Sequence, residues 1–419
     1  MLRIPPAFIV ILSGVVAALH IGKIPPAIPV LREALGMSLI EAGFLLSLVQ
    51  LAGMTSAVLI GVAADGIGLR RSILLGQALL ALASLGGLAT QLPATLLALR
   101  AIEGFGFLLV VLPAPSLIRQ LVPFALLTRM LGLWSTYMGT GVSLALLVAP
   151  NLMPLIGWKG WWTVLGSLSA LILMAVAYRV PGDRQRTAAP QAVTRSAPAG
   201  HANHHWRQRL WLTLTHAGPW RVAIAFSMYS SQWLAVIGFL PSIYAQAGWQ
   251  GPLVGVLTAI ACFSNVSGNV AAGRLLHRGV PPRHLLYVGF IAMGIATLLA
   301  FGEFTAQLPA LRYLAVIMFS SFGGLIPSTL FSLAVHVAPS EQTVSTTVGW
   351  MQQCSSTGQF FGPPLVAWIA AQAGGWHWTW ALTGVASLAG LWIARHLHLS
   401  PPKAAPQATP EKSPGLVRG

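Results

Sequence analysis

The stretch SILLGQALLALASLGGLATQ, residues 72–91, contains no charged side chain. A helix rises about 1.5 Å per residue, so a helix of this length crosses the roughly 30 Å hydrocarbon core of a lipid bilayer. Arg70 and Arg71 come directly before it, and basic residues of this kind mark the cytoplasmic end of a spanning helix. The stretch therefore predicts a transmembrane helix.

Eleven further segments have a similar length and apolar character. The twelve predicted spans cover residues 7–29, 40–61, 72–91, 95–118, 130–152, 161–180, 220–244, 252–272, 284–303, 310–335, 343–372 and 378–397. We expect kinks or breaks at Pro25-Pro26, Pro113-Ala-Pro115 and Pro363-Pro364, because proline donates no backbone hydrogen bond. The predicted fold class is an all-α membrane protein.

The composition agrees with this class. Of the 419 residues, 55% are apolar and 8% are charged, whereas about a quarter of the residues in a water-soluble domain are charged. In so apolar a chain, the basic residues behind the net charge of +16 indicate how the protein is oriented in the membrane. We therefore expect no nucleic-acid partner. The expected surroundings are membrane lipid.

The distribution of basic residues predicts the orientation. All 24 Lys and Arg residues except Lys23, Arg32, Arg100, Lys159 and Arg312 fall in segments on the side of the N-terminus. By the positive-inside rule, both termini lie in the cytoplasm, and we expect a bacterial cytoplasmic membrane. Seven Trp residues fall at the opposite ends of the spans, where we expect them at the membrane surface: Trp158, Trp161, Trp162, Trp249, Trp376, Trp378 and Trp380.

A polar segment divides the chain into two halves. The predicted organisation is a six-helix half at 1–180, a flexible cytoplasmic linker at 181–219, a second six-helix half at 220–399 and a disordered tail at 400–419. The linker holds His201, His204 and His205 without an acidic or Cys ligand nearby, which favours a solvated run over a metal site. We expect neither a metal nor a cofactor.

The two halves are an internal repeat. An offset of 212 residues aligns Pro29 with Pro241, Gly36 with Gly248, Gly43 with Gly255, Gly61 with Gly273, Arg71 with Arg283, and Arg100 with Arg312. The offset is 217 at Gly132 and Gly349, and Gly157-Trp158 resembles Gly375-Trp376. Six spans repeated in the same orientation indicate two halves related by an axis along the membrane normal. Transporters bind substrate between such halves.

Two motifs resemble the major facilitator superfamily. The loop GVAADGIGLRR, residues 61–71, follows the family pattern of Gly, Asp, Gly and basic residues between spans two and three, although Gly66 and Leu69 replace basic residues. Residues Arg100–Gly104 resemble the family's Arg-x-x-polar-Gly motif in span four. The resemblance implies twelve helices in two six-helix halves, acting as a monomer by alternating access.

Short strings narrow the resemblance. Pro115-Ser-Leu-Ile-Arg119 and Gly132-Leu-Trp-Ser are similar to the cyanate/nitroimidazole-type porters, which carry small anions or small polar molecules. Drug/proton antiporters of the superfamily usually carry a Gly-Pro pair in span five, where this chain reads Gly139-Thr-Gly141. The missing proline makes drug efflux the less favoured interpretation.

Charged residues within spans are the first candidates for a site. Such a residue costs about 3 kcal/mol at mid-membrane, and it normally faces the bundle interior or an aqueous cavity. The resemblance implies that spans one, four, seven and ten line the central cavity, and these spans contain Lys23, Arg100, Glu103 and Arg312. Three cations against one carboxylate favour an anionic or strongly polar substrate.

Polar residues complete the predicted site. His20 shares a helix face with Lys23, and Gln232 is its equivalent under the 212 offset. We predict that the small-molecule substrate binds Lys23, His20, Arg100, Gln232, Trp233 and Arg312. We predict that Glu103 carries protons, with His20 second. The alternatives are a structural ion pair between Arg100 and Glu103, and an Arg312 side chain that reaches outward to the membrane surface.

The resemblance also implies a gate on the cytoplasmic side. Asp65, Arg70 and Arg71 follow span two, and the second-half copy of this loop supplies Arg274 and Arg278. We predict that these residues hold the cytoplasmic side closed. The alternative is that the arginines only set the topology.

The sequence therefore predicts a secondary active transporter of a small polar or anionic solute, with protons as a candidate coupling ion. The first alternative is an efflux transporter of toxic small molecules, and the second is a membrane sensor that binds a ligand without moving it. Enzyme motifs such as His-Glu-x-x-His and Gly-x-Ser-x-Gly do not occur in the chain. We expect no enzymatic activity.

Overall fold

The computed structural model describes residues 5–57, 67–182, 202–249, 251–340 and 343–397. Every regular element within these ranges is helical. The helices are Pro6–Gly22, Ile24–Leu35, Leu39–Ser47, Leu69–Gly86, Pro93–Val111, Ala114–Leu121, Phe124–Ser135, Tyr137–Arg179, Ala202–Thr215, Ala217–Gln246, Pro252–His277, Pro282–Phe301, Pro309–Gly323, Leu325–Val337, Val344–Ala373 and Thr379–Arg395, with short 3-10 turns at Leu48–Gln50, Gly87–Ala89, Glu303–Thr305 and Trp376–Trp378.

In this part of the chain, nine helical stretches are long and apolar enough to cross a membrane. They form span 1 (Pro6–Leu35), span 2 (Leu39–Ala57), span 3 (Leu69–Ala89), span 4 (Pro93–Leu121), spans 5 and 6 together (Tyr137–Arg179), span 7 (Ala217–Gln246), span 8 (Pro252–His277), span 9 (Pro282–Phe301) and span 10 (Pro309–Val337). The helices Val344–Ala373 and Thr379–Arg395 are spans 11 and 12. The all-α membrane fold is confirmed, and the helices agree with the twelve predicted spans.

Two of the three predicted proline breaks are present. Span 1 is interrupted at Lys23, two residues before Pro25-Pro26, where the backbone keeps helical angles (φ −69°, ψ −28°). Span 4 ends one helix at Val111 and starts another at Ala114. The helix of span 11 runs through Pro363-Pro364 without a break. A proline removes one donor from the helix ladder, and the intact bonds on either side can keep the assigned helix continuous.

Spans 5 and 6 differ from the prediction of two helices joined by a loop. Tyr137–Arg179 is assigned as one helical stretch, and Gly157 inside it has a φ of 70° and a ψ of 171°. A residue with a side chain rarely adopts this backbone conformation, whereas glycine adopts it at little cost. A single glycine therefore turns the chain between the two spans.

The expected flexible linker contains a helix. Ala202–Thr215 packs against spans 7 and 11, and Trp220 Nε1 donates a hydrogen bond to the carbonyl of Leu214 at 2.9 Å. Leu210 and Leu212 are partly buried and supply apolar surface that the linker's average composition conceals. His201 and the tail at 400–419 lie outside the described residues.

The tryptophan prediction is wrong for four residues. Trp158, Trp161, Trp162 and Trp376 are buried, while Trp378 is 49% exposed. Large aromatic side chains fill the ends of the bundle here, so their position along a span does not show that they face lipid.

The two halves meet mainly along three pairs of spans: 2 with 11, 5 with 8, and 1 with 7. A Cβ atom added at Gly43 would lie 2.9 Å from Pro364 Cα, so spans 2 and 11 touch through their backbones. Further along the same pair, Gln50 Nε2 donates a hydrogen bond to Gln359 Oε1 at 3.1 Å. We call this contact between spans 2 and 11 the seam.

Candidate functional site

Lys23 lies at the break in span 1, and its side chain is 1% exposed. The ammonium forms an ion pair with the Glu103 carboxylate and donates a hydrogen bond to Ser84 Oγ at 3.2 Å. His20 Nδ1 lies 3.5 Å away, and the centre of the Trp162 ring lies at 4.7 Å. Spans 1, 3, 4 and 6 thus surround one buried cation.

Arg100 connects three spans of the same half. Its Nη1 donates to Glu103 Oε2 at 2.8 Å and to the carbonyl of His20 at 2.6 Å, and its Nε donates to the carbonyl of Leu45 at 3.1 Å. The His20 carbonyl lies next to the Ile21 and Gly22 carbonyls, whose helical donors Pro25 and Pro26 remove. Arg100 therefore joins span 4 to spans 1 and 2 and also forms an ion pair with Glu103.

Glu103 is the centre of this group. One carboxylate oxygen pairs with Lys23 and the other with Arg100, and the side chain is 3% exposed. Gly104, the next residue, allows close packing, because a Cβ atom there would meet the Val49 carbonyl of span 2. We call Lys23, Arg100, Glu103 and His20 the charge cluster.

His20 extends the charge cluster to span 6. A hydrogen bond of 2.8 Å joins its Nε2 to Ser169 Oγ, while its Nδ1 lies 3.6 Å from Glu103 Oε1. His20 Nδ1 accepts from Lys23 only in the neutral form that carries its proton on Nε2. A second proton would make His20 a competitor of Lys23 for the same carboxylate.

The location of the charge cluster differs from the expectation. We expected its members to line a cavity between the halves, but every side-chain contact given above is made within the N-terminal half. Span 1 lies beside the other half, yet these side chains turn inward, towards spans 3, 4 and 6. The structural ion pair that the i,i+3 spacing of Arg100 and Glu103 allowed is present.

The C-terminal half holds neutral groups at the corresponding place. Ser387 Oγ in span 12 donates to Gln232 Oε1 at 3.1 Å. This contact is the repeat of that between His20 and Ser169, since 212 separates the first pair of positions and 218 the second. Trp233 Nε1 lies 3.4 Å from Ser320 Oγ in span 10. Gln232 and Trp233 therefore belong to the interior of the C-terminal half.

Arg312 lies apart from the other predicted binding residues. It is half-buried, and its Nη2 donates to the Gly302 carbonyl at 2.7 Å while its Nε donates to Thr305 Oγ1 at 3.2 Å. These bonds hold the turn before span 10. The outward-reaching alternative for Arg312 fits this geometry, and substrate binding by Arg312 stays a prediction.

The predicted gate is only partly described. Asp65 lies outside the described residues. Arg70 donates a hydrogen bond to the Ala177 carbonyl at the end of span 6, whereas Arg71 is exposed, as are Arg274 and Arg278 in the other half. The gating role of these residues stays a prediction.

Sequence reasoning missed Ser84, Ser169 and Trp162. Each lies in span 3 or span 6, which the resemblance does not place at the cavity, so the two serines were not candidates and Trp162 was predicted only as a residue of the membrane surface. The repeat held a usable signal for Ser169, because the 218 offset that pairs Gly157 with Gly375 also pairs Ser169 with Ser387.

Comparison with known proteins agrees with this architecture. The sequence profile of the Major Facilitator Superfamily matches residues 10–347 and 222–418. The chain belongs to this superfamily, whose members are membrane transporters rather than enzymes. It is 24% identical over 368 residues to the 2-nitroimidazole transporter of Escherichia coli (strain K12). The aligned region covers 87% of each chain.

Solved structures share the fold at low sequence identity. A D-xylose-proton symporter superposes with a TM-score of 0.74 at 15% identity, covering 94% of this chain and 97% of that one. An inward-open xylose transporter from E. coli gives 0.73 at 14% identity, with 95% and 97% covered. A bacterial homologue of the lysosomal transporter Spinster gives 0.68 at 14% identity, with 94% of each covered. The protein therefore carries out membrane transport by alternating access of two six-helix halves.

Proposed function

We propose that this chain moves a small polar or anionic solute across the bacterial cytoplasmic membrane as a monomer, with protons as the coupling ion. The observation that carries the proposal is the charge cluster. Among the described residues, Lys23, Arg100 and Glu103 are the charged side chains that are buried. Buried ionisable groups in a membrane bundle are expensive and mark substrate or proton pathways.

Glu103 is the proposed proton carrier. It is the buried carboxylate of the described spans, and its two oxygens hold Lys23 and Arg100. A proton on Glu103 removes the charge that fixes both cations, so proton binding changes the balance between arrangements of the bundle. Similarity to a D-xylose-proton symporter is compatible with proton coupling.

Lys23 is the proposed contact with the substrate. Its position at the break in span 1, a span that touches span 7 of the other half, allows the side chain to turn towards the space between the halves once Glu103 is neutral. The relative named as a 2-nitroimidazole transporter supports a small polar solute.

Flux into liposomes tests the proposed function. The purified chain is reconstituted, and uptake of 2-nitroimidazole, formate, acetate and nitrate is followed with and without a pH gradient. We expect at least one solute to accumulate when the gradient is imposed, and Lys23→Gln to abolish its uptake. Lys159→Gln is the matched control, since Lys159 is exposed. Flux that ignores the gradient would contradict proton coupling, and binding without flux would favour the sensor.

We also propose that Arg70, Arg71, Arg274 and Arg278 act with Asp65 as the cytoplasmic gate. Exposed cations on both halves can contact the opposite half only when that side closes. We expect Arg71→Gln to slow turnover of the transported solute several-fold without changing its equilibrium binding, whereas Arg119→Gln, an exposed control, leaves both unchanged. Loss of binding in Arg71→Gln would contradict a gating role.

A further inference from the structure

Four neutral side chains of the C-terminal half form a continuous chain of hydrogen bonds. Ser328 Oγ donates to Asn269 Oδ1 at 2.9 Å, and Asn269 Nδ2 donates to Asn265 Oδ1 at 2.9 Å. Asn265 Nδ2 in turn donates to the Tyr229 hydroxyl oxygen at 3.0 Å. These residues belong to spans 7, 8 and 10, and we call them the polar chain.

The backbone fixes the direction of the polar chain. Asn265 Nδ2 lies 2.9 Å from the Ser320 carbonyl, and a carbonyl oxygen only accepts hydrogen bonds, so the amide nitrogen is on this side. In the same way, Asn269 Nδ2 lies 3.1 Å from the Asn265 carbonyl. Asn265 uses one N–H on Ser320 and the other on Tyr229, so the Tyr229 hydroxyl is the acceptor in this bond.

The proton of the Tyr229 hydroxyl is therefore unused. Tyr229 is 6% exposed, and among the described residues its O–H group has no acceptor. A buried donor without an acceptor is unfavourable. The bonds that lead to this hydroxyl all point in one direction and polarise one another, which strengthens the last O–H as a donor. The polar chain thus ends in a donor that lacks a partner.

The exposure of Asn265 shows a space beside the polar chain. Ile260 and Phe263 are 50% and 54% exposed and mark the lipid-facing side of span 8, and Asn265, two residues after Phe263, lies about 200° around the helix from it. On this inner side Asn265 is partly exposed, whereas Thr258 and Ala272, two turns before and after it, are fully buried. Asn265 therefore faces a space within the bundle at its own level.

That space lies beside the N-terminal half. Val266 touches span 5, since a Cβ atom on Gly139 would lie 2.9 Å from Val266 Cγ2. Gly268, on the other flank of Asn265, packs against the Ser321 carbonyl of span 10. Asn265 is thus directed between span 10 and the other half, and transporters with repeated halves bind their substrates between the halves.

We propose that the Tyr229 hydroxyl donates a hydrogen bond to an acceptor oxygen of the transported solute, and that Asn265 is a positioning residue that turns the Tyr229 proton towards this oxygen. The inference rests on the proposed function. It adds a contact from the C-terminal half to the contact proposed for Lys23, and it requires a nitro, carbonyl or carboxylate oxygen in the solute. The solute then supplies the acceptor that the polar chain lacks.

Tyr229→Phe tests the contact, because it removes the hydroxyl and keeps the ring. Binding of 2-nitroimidazole, nitrate, acetate and acetamide to the purified chain is measured by thermal stabilisation. For each solute that binds, we expect Tyr229→Phe to weaken binding about ten-fold, which corresponds to about 1.4 kcal/mol. Tyr313→Phe is the matched control and should leave binding unchanged, since the Tyr313 hydroxyl already donates to the Leu257 carbonyl at 3.3 Å. Unchanged binding in Tyr229→Phe, or no binding by any of the four solutes, overturns the inference.

A solute without the acceptor oxygen separates a direct contact from a general disturbance of the site. Imidazole has the ring of 2-nitroimidazole and lacks the nitro group, so Tyr229→Phe should leave its binding unchanged. Equal weakening of both compounds would mean that the substitution alters the site as a whole, and the proposed contact would be wrong.

Asn265→Asp tests the positioning role. A carboxylate at this position accepts a hydrogen bond from Tyr229 instead of donating one, so the hydroxyl proton turns away from the solute. For the solute that binds most tightly, we expect the same loss of binding as in Tyr229→Phe and no further loss in the double variant. Additive losses would contradict the positioning role. Should Asn265→Asp fail to fold, the comparison of Tyr229→Phe with Tyr313→Phe still decides whether the hydroxyl contacts the solute.

The outcomes separate the inference from the proposed function. If proton-driven flux occurs and Tyr229→Phe transports the solute with unchanged affinity, the inference is wrong while the proposed function stands. If Tyr229→Phe weakens binding as expected but no solute moves in any reconstituted sample, the contact stands and the proposed function is wrong.

Discussion

At position 103 the N-terminal half buries a glutamate, and at the equivalent position 315 the C-terminal half buries an alanine. The same comparison pairs Lys23 with Ala235, which is 1% exposed. Only Arg100 keeps its residue type, as Arg312, and there the side chain turns to a surface turn. Among the described residues, the same arrangement of helices therefore encloses charged side chains in one half and neutral ones in the other.

The difference shows that two repeated halves can keep the same packing while only one of them holds the buried charges. Both halves keep the contact between their first and last spans, through His20 and Ser169 in one and Gln232 and Ser387 in the other. Packing is thus shared, while the buried charged side chains of the described residues all lie in the N-terminal half. Proton coupling, if it resides in the charge cluster, needs no counterpart in the C-terminal half.

The largest effect is expected for Glu103→Gln, which leaves Lys23 and Arg100 buried without their carboxylate. Removal of one partner of a buried ion pair costs about 3–5 kcal/mol. Thermal unfolding in detergent should show a marked loss of stability for Glu103→Gln. Glu33→Gln, which changes an exposed glutamate, should show no loss of stability. The double variant Lys23→Gln with Glu103→Gln should recover part of the loss, and no recovery would contradict direct coupling.

The two repeat-related arginines should also differ in their contribution to stability, with the larger loss on substitution of Arg100. Arg100→Gln removes bonds to spans 1 and 2 and leaves Glu103 with a single cation, so we expect a loss of about 3 kcal/mol or more. Arg312→Gln removes two half-buried bonds near a turn, and about 1–2 kcal/mol should be lost. Unfolding measured side by side checks the order, and equal losses would mean that the charge cluster adds nothing to Arg100.

The smallest effect is expected for the paired serines. Ser169→Ala and Ser387→Ala each remove one buried hydrogen bond, which contributes about 1 kcal/mol. Only Ser169 touches His20, so only Ser169→Ala should shift the pH profile of transport. A shifted profile in Ser387→Ala would show that the pH response does not come from His20.

Sequence reasoning found the helices because an apolar run of spanning length has one stable outcome in a bilayer. It also found the members of the charge cluster, since a charge inside a span is rare. It could not tell which way Lys23 and Arg312 turn, because the rotation of each span depends on neighbours far away in the chain. Ser84 and Trp162 become partners of Lys23 only through that packing.

The hydrogen bond from Arg100 to the Leu45 carbonyl has a mechanical consequence. Leu45 belongs to span 2, and Gly43 two residues earlier touches Pro364 of span 11 at the seam. A single helix, Leu39–Ser47, therefore joins the charge cluster of one half to the seam with the other half. An event that releases Arg100 from the Leu45 carbonyl therefore acts on the same helix that forms the seam, and no separate element has to connect the charge cluster to the contact between the halves.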